Sequence, residues 1–228
     1  MNDKIEVLDY GYVRLVDSMG DDLSVVRSAR VSYDADWRTG DEEGKDRKLI
    51  DYLIRNRHTS PFESVTFTFE VKAPIFVLRQ WHRHRTWSYN EISARYSELP
   101  EEFYVPDRDV FGVQSEDNKQ MRDMKTPPYE PDIIASFMYA QNEQAFTMYR
   151  ELIKMEVPRE LARTILPVAT YSKMFATVDL HNLFHFLKLR LHEHAQYEIR
   201  VYAEAMLDLI EDVVPVSVEA WRKHIGNE

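Results

Sequence analysis

Val65-Thr66-Phe67-Thr68-Phe69-Glu70-Val71-Lys72, VTFTFEVK, is the stretch whose reading decides the fold. Val65, Phe67, Phe69 and Val71 fall on one side, and Thr66, Thr68, Glu70 and Lys72 on the other. A period of two over eight residues is the pattern of a half-buried strand. Helical patterns flank it on both sides, which predicts an α+β chain: an antiparallel sheet containing 65–72, packed by helices.

Upstream, His58-Thr59-Ser60-Pro61 breaks a helix expected near 46–57, whose apolar face is Leu49, Ile50, Leu53 and Ile54. A polar loop with Gly40 and Gly44 precedes it. Before that, Gly20-Asp21-Asp22 reads as a helix start with Asp as N-cap, continuing through Leu23, Val26 and Ala29 to about Tyr33. Residues 4–17 favour a strand or hairpin around Gly11. Downstream, Pro74 suits the first position of a helix running to Trp81 or His84. A loop from Trp87 to Ser97 follows, then EFYVP as a second strand of the sheet. Residues 107–131 are polar, contain Pro127-Pro128 and read as a long loop or flap. Helices are expected over Asp132–Met155, briefly after Val157-Pro158 as far as Pro167, and as one long C-terminal helix over 179–213. That last helix would carry Leu183, Leu187, Leu191 and His194 on a stripe. No repeat or linker divides the chain, so 1–228 reads as a single domain.

The 228 residues are 44% apolar, enough for a sizeable core, and carry a net charge of −10. That acidity argues against a binder of polymeric nucleic acid. No stretch approaches the about 18 apolar residues of a membrane span, and MNDKIEVLDY has no apolar leader core. With no cysteine there is no disulfide, no thiolate metal site and no Cys nucleophile. These features read as a soluble, cytoplasmic protein without membrane partners.

Against that acidic background, RQWHRHRTWSYNEISAR, residues 79–95, holds four arginines and one acid, a local balance of +3. Its arginines, serines and aromatics suit a pocket that grips a phosphate and holds flat rings. On a helix through this run Gln80, Arg83 and His84 are neighbours at i, i+3 and i+4. The plainer alternative is a solvated basic helix face.

Arg83-His84-Arg85 followed by Ser88, Asn90, Glu91, Ser93 and Arg95 resembles the signature of the flavin-dependent thymidylate synthases, Arg-His-Arg-x-x-Ser-x-Asn-Glu-x-Ser-x-Arg, without a gap. The resemblance extends to DLSVVRSARVSYD near the N-terminus, HTSPFE at 58–63, VPRELARTILP at 157–167 and LRLHEHAQYEIR at 189–200. It implies a homotetramer with shared active sites that makes dTMP from dUMP. Methylenetetrahydrofolate would give the carbon, and FAD reduced by NADPH would give the hydride. It implies nucleotide contacts at Gln80, Arg83, Glu91, Ser93, Ala94, Arg95 and Arg190, with Arg163 reaching in from another subunit. FAD contacts are implied at His58, Ser60, Arg83, His84, Arg85, Glu91, Asp179, His181 and His185. Some relatives carry Asn where this chain has Asp179 and His185. Without the resemblance, Arg163 reads as a helix-surface arginine.

Arg190 lies among Leu187, Leu189 and Leu191 with no carboxylate at i±4, a costly place for a cation. One reading is an interhelical salt bridge. The resemblance implies instead that it stabilises an N3-ionised pyrimidine, a catalytic role. His181 and His185, and the LHEHAQ run, do not form the His-Glu-x-x-His of a zinc peptidase, and no metal site is expected. A non-catalytic nucleotide or flavin sensor and a metallohydrolase are the rival classes. Flavin colour and turnover with dUMP separate them.

Overall fold

The computed structural model describes residues 3–34 and 44–226; the polar loop expected around Gly40 lies outside the described residues. The chain opens with a hairpin, β1 (Lys4–Val7) and β2 (Gly11–Met19). Leu8 makes the turn with a φ of 59°. At Gly11 a Cβ would stand 2.6 Å from the Val7 carbonyl oxygen, so only glycine fits that close approach. Helix α1 (Asp22–Arg30) starts as read: the Asp21 carboxylate accepts from the Ser24 N–H at 2.9 Å. Helix α2 (Lys45–Arg55) follows, and a single 3₁₀ turn over Ser60–Ser64 leads into β3 (Thr66–Pro74).

β3 lies at the centre of a five-stranded antiparallel sheet ordered β1-β2-β3-β7-β4, where β4 is Ser88–Glu91 and β7 is Tyr171–Asp179. Val65, Phe67, Phe69 and Val71 are fully buried, as their alternation predicted. Register aligns Phe67 with Val178, Phe69 with Ala176 and Val71 with Met174, so both strands send apolar side chains to the same side. Helices α6 (Leu180–Arg190) and α7 (Tyr197–Glu211) supply the other half of that core, with Leu183, Phe186, Ile199, Tyr202 and Met206. Truncating Phe69 to Ala there would cost about 3–5 kcal/mol.

The remaining elements are α3 (Ile75–Trp81), a two-residue ladder of β5 (Val113–Gln114) with β6 (Arg122–Asp123), α4 (Pro131–Lys154), α5 (Arg159–Ala162) and α8 (Pro215–His224). Phe103, Phe146, Tyr149 and Ala162 make a second, smaller core beneath α4. The outer side of α4 leaves Ile133, Phe137 and Met148 exposed, while Tyr139, half exposed, packs its ring on Phe103. No described helix is long and apolar enough to cross a membrane.

Four expectations are corrected. Trp87–Ser97 is not all loop, because Ser88–Glu91 closes the sheet edge against β7. EFYVP is not a sheet strand; it makes one isolated bridge, Phe103 to Thr170. Pro74 does not open the helix but ends β3 and precedes it. The single helix over 179–213 is two, because the apolar stripe ends at Leu191 and resumes only at Ile199. The intervening His192, Glu193 and His194 are exposed, so no packing offsets the cost of continuing the helix there. β7 itself is absent from the sequence reading: its buried face, Ser172, Met174, Ala176 and Val178, is too small and mixed to announce a strand.

Candidate active site

The short helix α3 ends at Trp81, and a turn then presents Arg83, His84 and Arg85 in succession. Trp81 stacks on Phe186 of α6 with ring centroids 4.9 Å apart, and Trp87 packs on the same ring at 5.1 Å. The two indoles therefore belong to the core; they anchor the turn and do not line the pocket expected of them. The Tyr89 hydroxyl donates to the carbonyls of Trp81 and His84, at 3.1 and 2.9 Å, and ties β4 across the turn.

His84 is 7% exposed and lies against Phe186. Its pKa is lowered from 6.5 to about 4, by burial first and then by the nearby Arg190 and His185. Arg190, the last residue of α6, donates from Nε to His84 Nε2 at 3.0 Å and from Nη2 to the Gln80 carbonyl at 3.4 Å. Burial alone holds its pKa below the ordinary arginine value. No carboxylate pairs with it among the described residues. The interhelical salt bridge is therefore not what Arg190 makes.

Arg83, His84, Arg85 and Thr86 form one wall of a cavity of about 650 Å³; His181, Asn182, His185, Leu189 and Arg190 from α6 form the other. A second cavity of about 430 Å³ shares His181, His185 and Leu189 and extends past Phe184 to His58 and Thr59. The exposed Arg83 and Arg85 of the first cavity and the apolar lining of the second, Phe62, Phe184 and Trp221 among it, can together hold a diphosphate beside a flat ring. The structure thus brings together Arg83, His84, Arg85, His181, His185 and Arg190, with His58 one cavity away. Ser60 is exposed beside them and lines neither cavity. Asp179 is the N-cap of α6: its oxygens accept from the Asn182 backbone N–H at 2.9 Å and side-chain amide at 2.6 Å. Among the described residues, no group of three or more His, Asp or Glu stands close enough to hold a metal.

The rest of the signature run goes elsewhere. Glu91 accepts from the Ser172 hydroxyl at 2.5 Å and borders a separate groove with Asn90, Lys173 and Phe175. Ser93 and buried Ala94 follow, and Arg95 reaches Glu160 of α5 at 3.6 Å, with Arg163 exposed just beyond α5. Within one chain the expected nucleotide contacts form two groups: Gln80, Arg83 and Arg190, and separately Glu91, Ser93, Ala94, Arg95 and Arg163. The sequence reading missed Thr86, Asn182 and Leu189. For Asn182 and Leu189 a signal existed, since positions 181, 182, 185 and 189 share one face of a helix.

Comparison with known proteins bears on this arrangement. The family model described as thymidylate synthase complementing protein matches residues 14–216. The flavin-dependent thymidylate synthase of Treponema denticola is 49% identical over 229 residues, covering 100% of this chain and 85% of that protein. That of Thermus thermophilus is 51% identical over 221 residues, covering 97% and 79%. Among solved structures, the UMP/dUMP methylase PolB from Streptomyces cacaoi, bound with 5-Br dUMP, superposes with a TM-score of 0.87 at 39% identity, covering 97% of this chain and 99% of that one.

Proposed function

The chain belongs to the thymidylate synthase complementing protein family, and from that premise we propose that it is a flavin-dependent thymidylate synthase that methylates dUMP to dTMP. The observation that carries the reading is Arg190: a half-buried guanidinium with no carboxylate partner among the described residues, held by His84 and Gln80 at the edge of a cationic cavity. A fixed cation in such surroundings stabilises negative charge that develops on a ring, here the pyrimidine ionised at N3. No thiol is present to add to C6, so the chain must act by polarising and positioning its substrates.

The residues fit FAD: Arg83 and Arg85 would meet its diphosphate, while His58, His84, His181 and His185 would border its rings. When bound, FAD supplies the hydride, received from NADPH, and methylenetetrahydrofolate supplies the carbon. His84 remains neutral and keeps Arg190 aimed. Gln80 contacts the nucleotide beside it.

We assign the nucleotide phosphate to Ser93, Arg95 and Arg163, with Glu91 and Ala94 shaping that loop. Their separation from Arg190 within one chain supports a site completed by a second copy, in a homotetramer. The exposed apolar side of α4 supports the same assembly. The chain would work in the cytoplasm as one unit, with 107–131 as a flap. Ser60 and Asp179 would reach FAD only at its margin.

The test is anaerobic addition of dUMP and methylenetetrahydrofolate to the reduced, FAD-loaded protein. Flavin reoxidation should run in step with dTMP formation; reoxidation without dTMP, or neither, refutes the reading.

A further inference from the structure

Arg57 follows the C-cap of α2, Asn56, and has a φ of 57°. Its N–H donates to the Ile54 carbonyl at 3.1 Å, and that of His58 to the Leu53 carbonyl at 2.9 Å. This pair of bonds closes a helix around a left-handed residue. Glycine takes that conformation without strain, whereas an arginine must hold its Cβ in it. Of the described non-glycine residues with positive φ, Leu8, Asp34, Arg57 and Glu156, Arg57 alone lines either cavity of the site. Strain held at a lining position points to a side chain with work to do there.

The cavity in question is the second, of about 430 Å³. Lys188 of α6, half-buried and one turn beyond His185, lines it as well. Neither Arg57 nor Lys188 lines the first cavity. No aspartate or glutamate lines the second among the described residues, in a chain of net charge −10. The rest of its wall is largely apolar, with Leu53, Ile54, Phe62 and Trp221 all buried. Two permanent cations beside such a wall suit a ligand with a flat apolar body and an anionic end.

We propose that Arg57 and Lys188 bind the two carboxylates of the glutamate tail of the folate co-substrate, with its benzoyl ring beside the flavin ring in the second cavity. The inference rests on methylenetetrahydrofolate as the carbon donor. The other anions of the reaction fit less well. The dUMP phosphate is assigned to Ser93, Arg95 and Arg163, and the FAD diphosphate to Arg83 and Arg85. The phosphates of NADPH are joined by sugars, a poor match for an apolar wall. The folate tail alone sets a dicarboxylate directly on an aromatic amide.

The test is anaerobic calorimetric titration of the FAD-loaded protein, with dUMP present, in wild type, Arg57→Gly and Lys188→Gln. The ligands are tetrahydrofolate, which lacks the transferable carbon and does not turn over, and its tail diamide, in which both carboxylates are neutral. Wild type should bind the diacid about tenfold or more tightly than the diamide. In each variant that preference should fall about three- to tenfold, the worth of a charge-assisted contact at a partly exposed site. Affinity for the diamide should not change. Arg57→Gly should melt close to wild type, because glycine suits the left-handed position. Wild type that binds both ligands equally overturns the proposal. So do folded variants that keep the preference, or that lose affinity for both ligands alike, the mark of a structural role. A raised KM for NADPH in flavin reduction, with the tail preference unchanged, assigns the two cations to the reductant and overturns it too. Wild type that binds neither ligand removes folate from the proposed function as well.

Discussion

Arg190 donates its Nε hydrogen to Nε2 of His84 at 3.0 Å, so His84 must carry its lone pair there and its proton on Nδ1. A second proton would set an imidazolium against a guanidinium inside a half-buried site. The geometry and the lowered pKa of His84 agree. One residue of the signature run, His84, is thus held neutral in order to aim the cation of Arg190 at the end of α6.

The first prediction is a pH dependence of stability. The unfolded chain takes up a proton on His84 as pH falls through 6.5, whereas the folded chain resists until about 4. The unfolded state therefore binds more protons in that window, and stability falls as pH falls. The contribution is fully present above 6.5 and exhausted below about 4. His84→Gln keeps an acceptor for Arg190 but cannot titrate, so its melting temperature should decline less than that of wild type over this range. Parallel thermal melts decide it, and superimposable pH profiles would contradict it.

Arg190 should separate binding from chemistry. In Arg190→Ala, flavin reduction by NADPH should survive while dTMP formation falls about 10²–10³-fold, the usual cost of losing one such electrostatic group. Arg190→Lys should recover only part, because an ammonium cannot hold His84 and a ring oxygen with one planar fork. Stopped-flow measurement of both half-reactions, with a melting curve as control, is the assay. A folded Ala variant that methylates at the parent rate removes the role.

Arg95 is tied to Glu160 only loosely, at 3.6 Å and with both side chains more than half exposed. Such a pair adds little to stability. Arg95→Ala should therefore melt close to wild type yet bind dUMP more weakly, by about 1.5–3 kcal/mol for a charge-assisted bond to phosphate. Unchanged dUMP affinity would count against Arg95 as a phosphate ligand.

Helix α8 begins after Val214, a residue with no side-chain acceptor. Asp22 of α1 supplies the cap: its carboxylate accepts from the backbone N–H groups of Val216 and Ser217 at 2.8 and 3.0 Å, and from the Ser217 hydroxyl at 2.6 Å. Asp22→Ala should lose about 1–2 kcal/mol, as expected for a helix cap, with nucleotide affinity unchanged. Denaturant unfolding measures it; an unaltered midpoint refutes it.

Sequence alone determined whatever short-range periodicity or an ungapped motif encodes. Val65 to Val71 alternate strictly, and that placed the central strand and the α+β class. Asp21 before an amphipathic run announced α1. Arg83 to Arg95 matched a thirteen-residue signature, and with it the family and its chemistry. Only the tertiary structure decided the rest, because it depends on contacts between residues far apart in the chain. β7 exists because Ser172, Met174, Ala176 and Val178 find β3 and β4 on either side, and β4 exists because β7 offers an edge. The break after Leu191 brings α7 back over the sheet and buries Glu198 against Arg122, 76 residues away. The same long-range packing sends Trp81 and Trp87 inward, pairs Arg190 with His84, and parts Arg83 from Arg95, although a single short motif holds both. Spacing along a chain fixes which residues can share a helix face or a strand face; which of those faces meet is settled only by the burial of apolar surface across the whole fold.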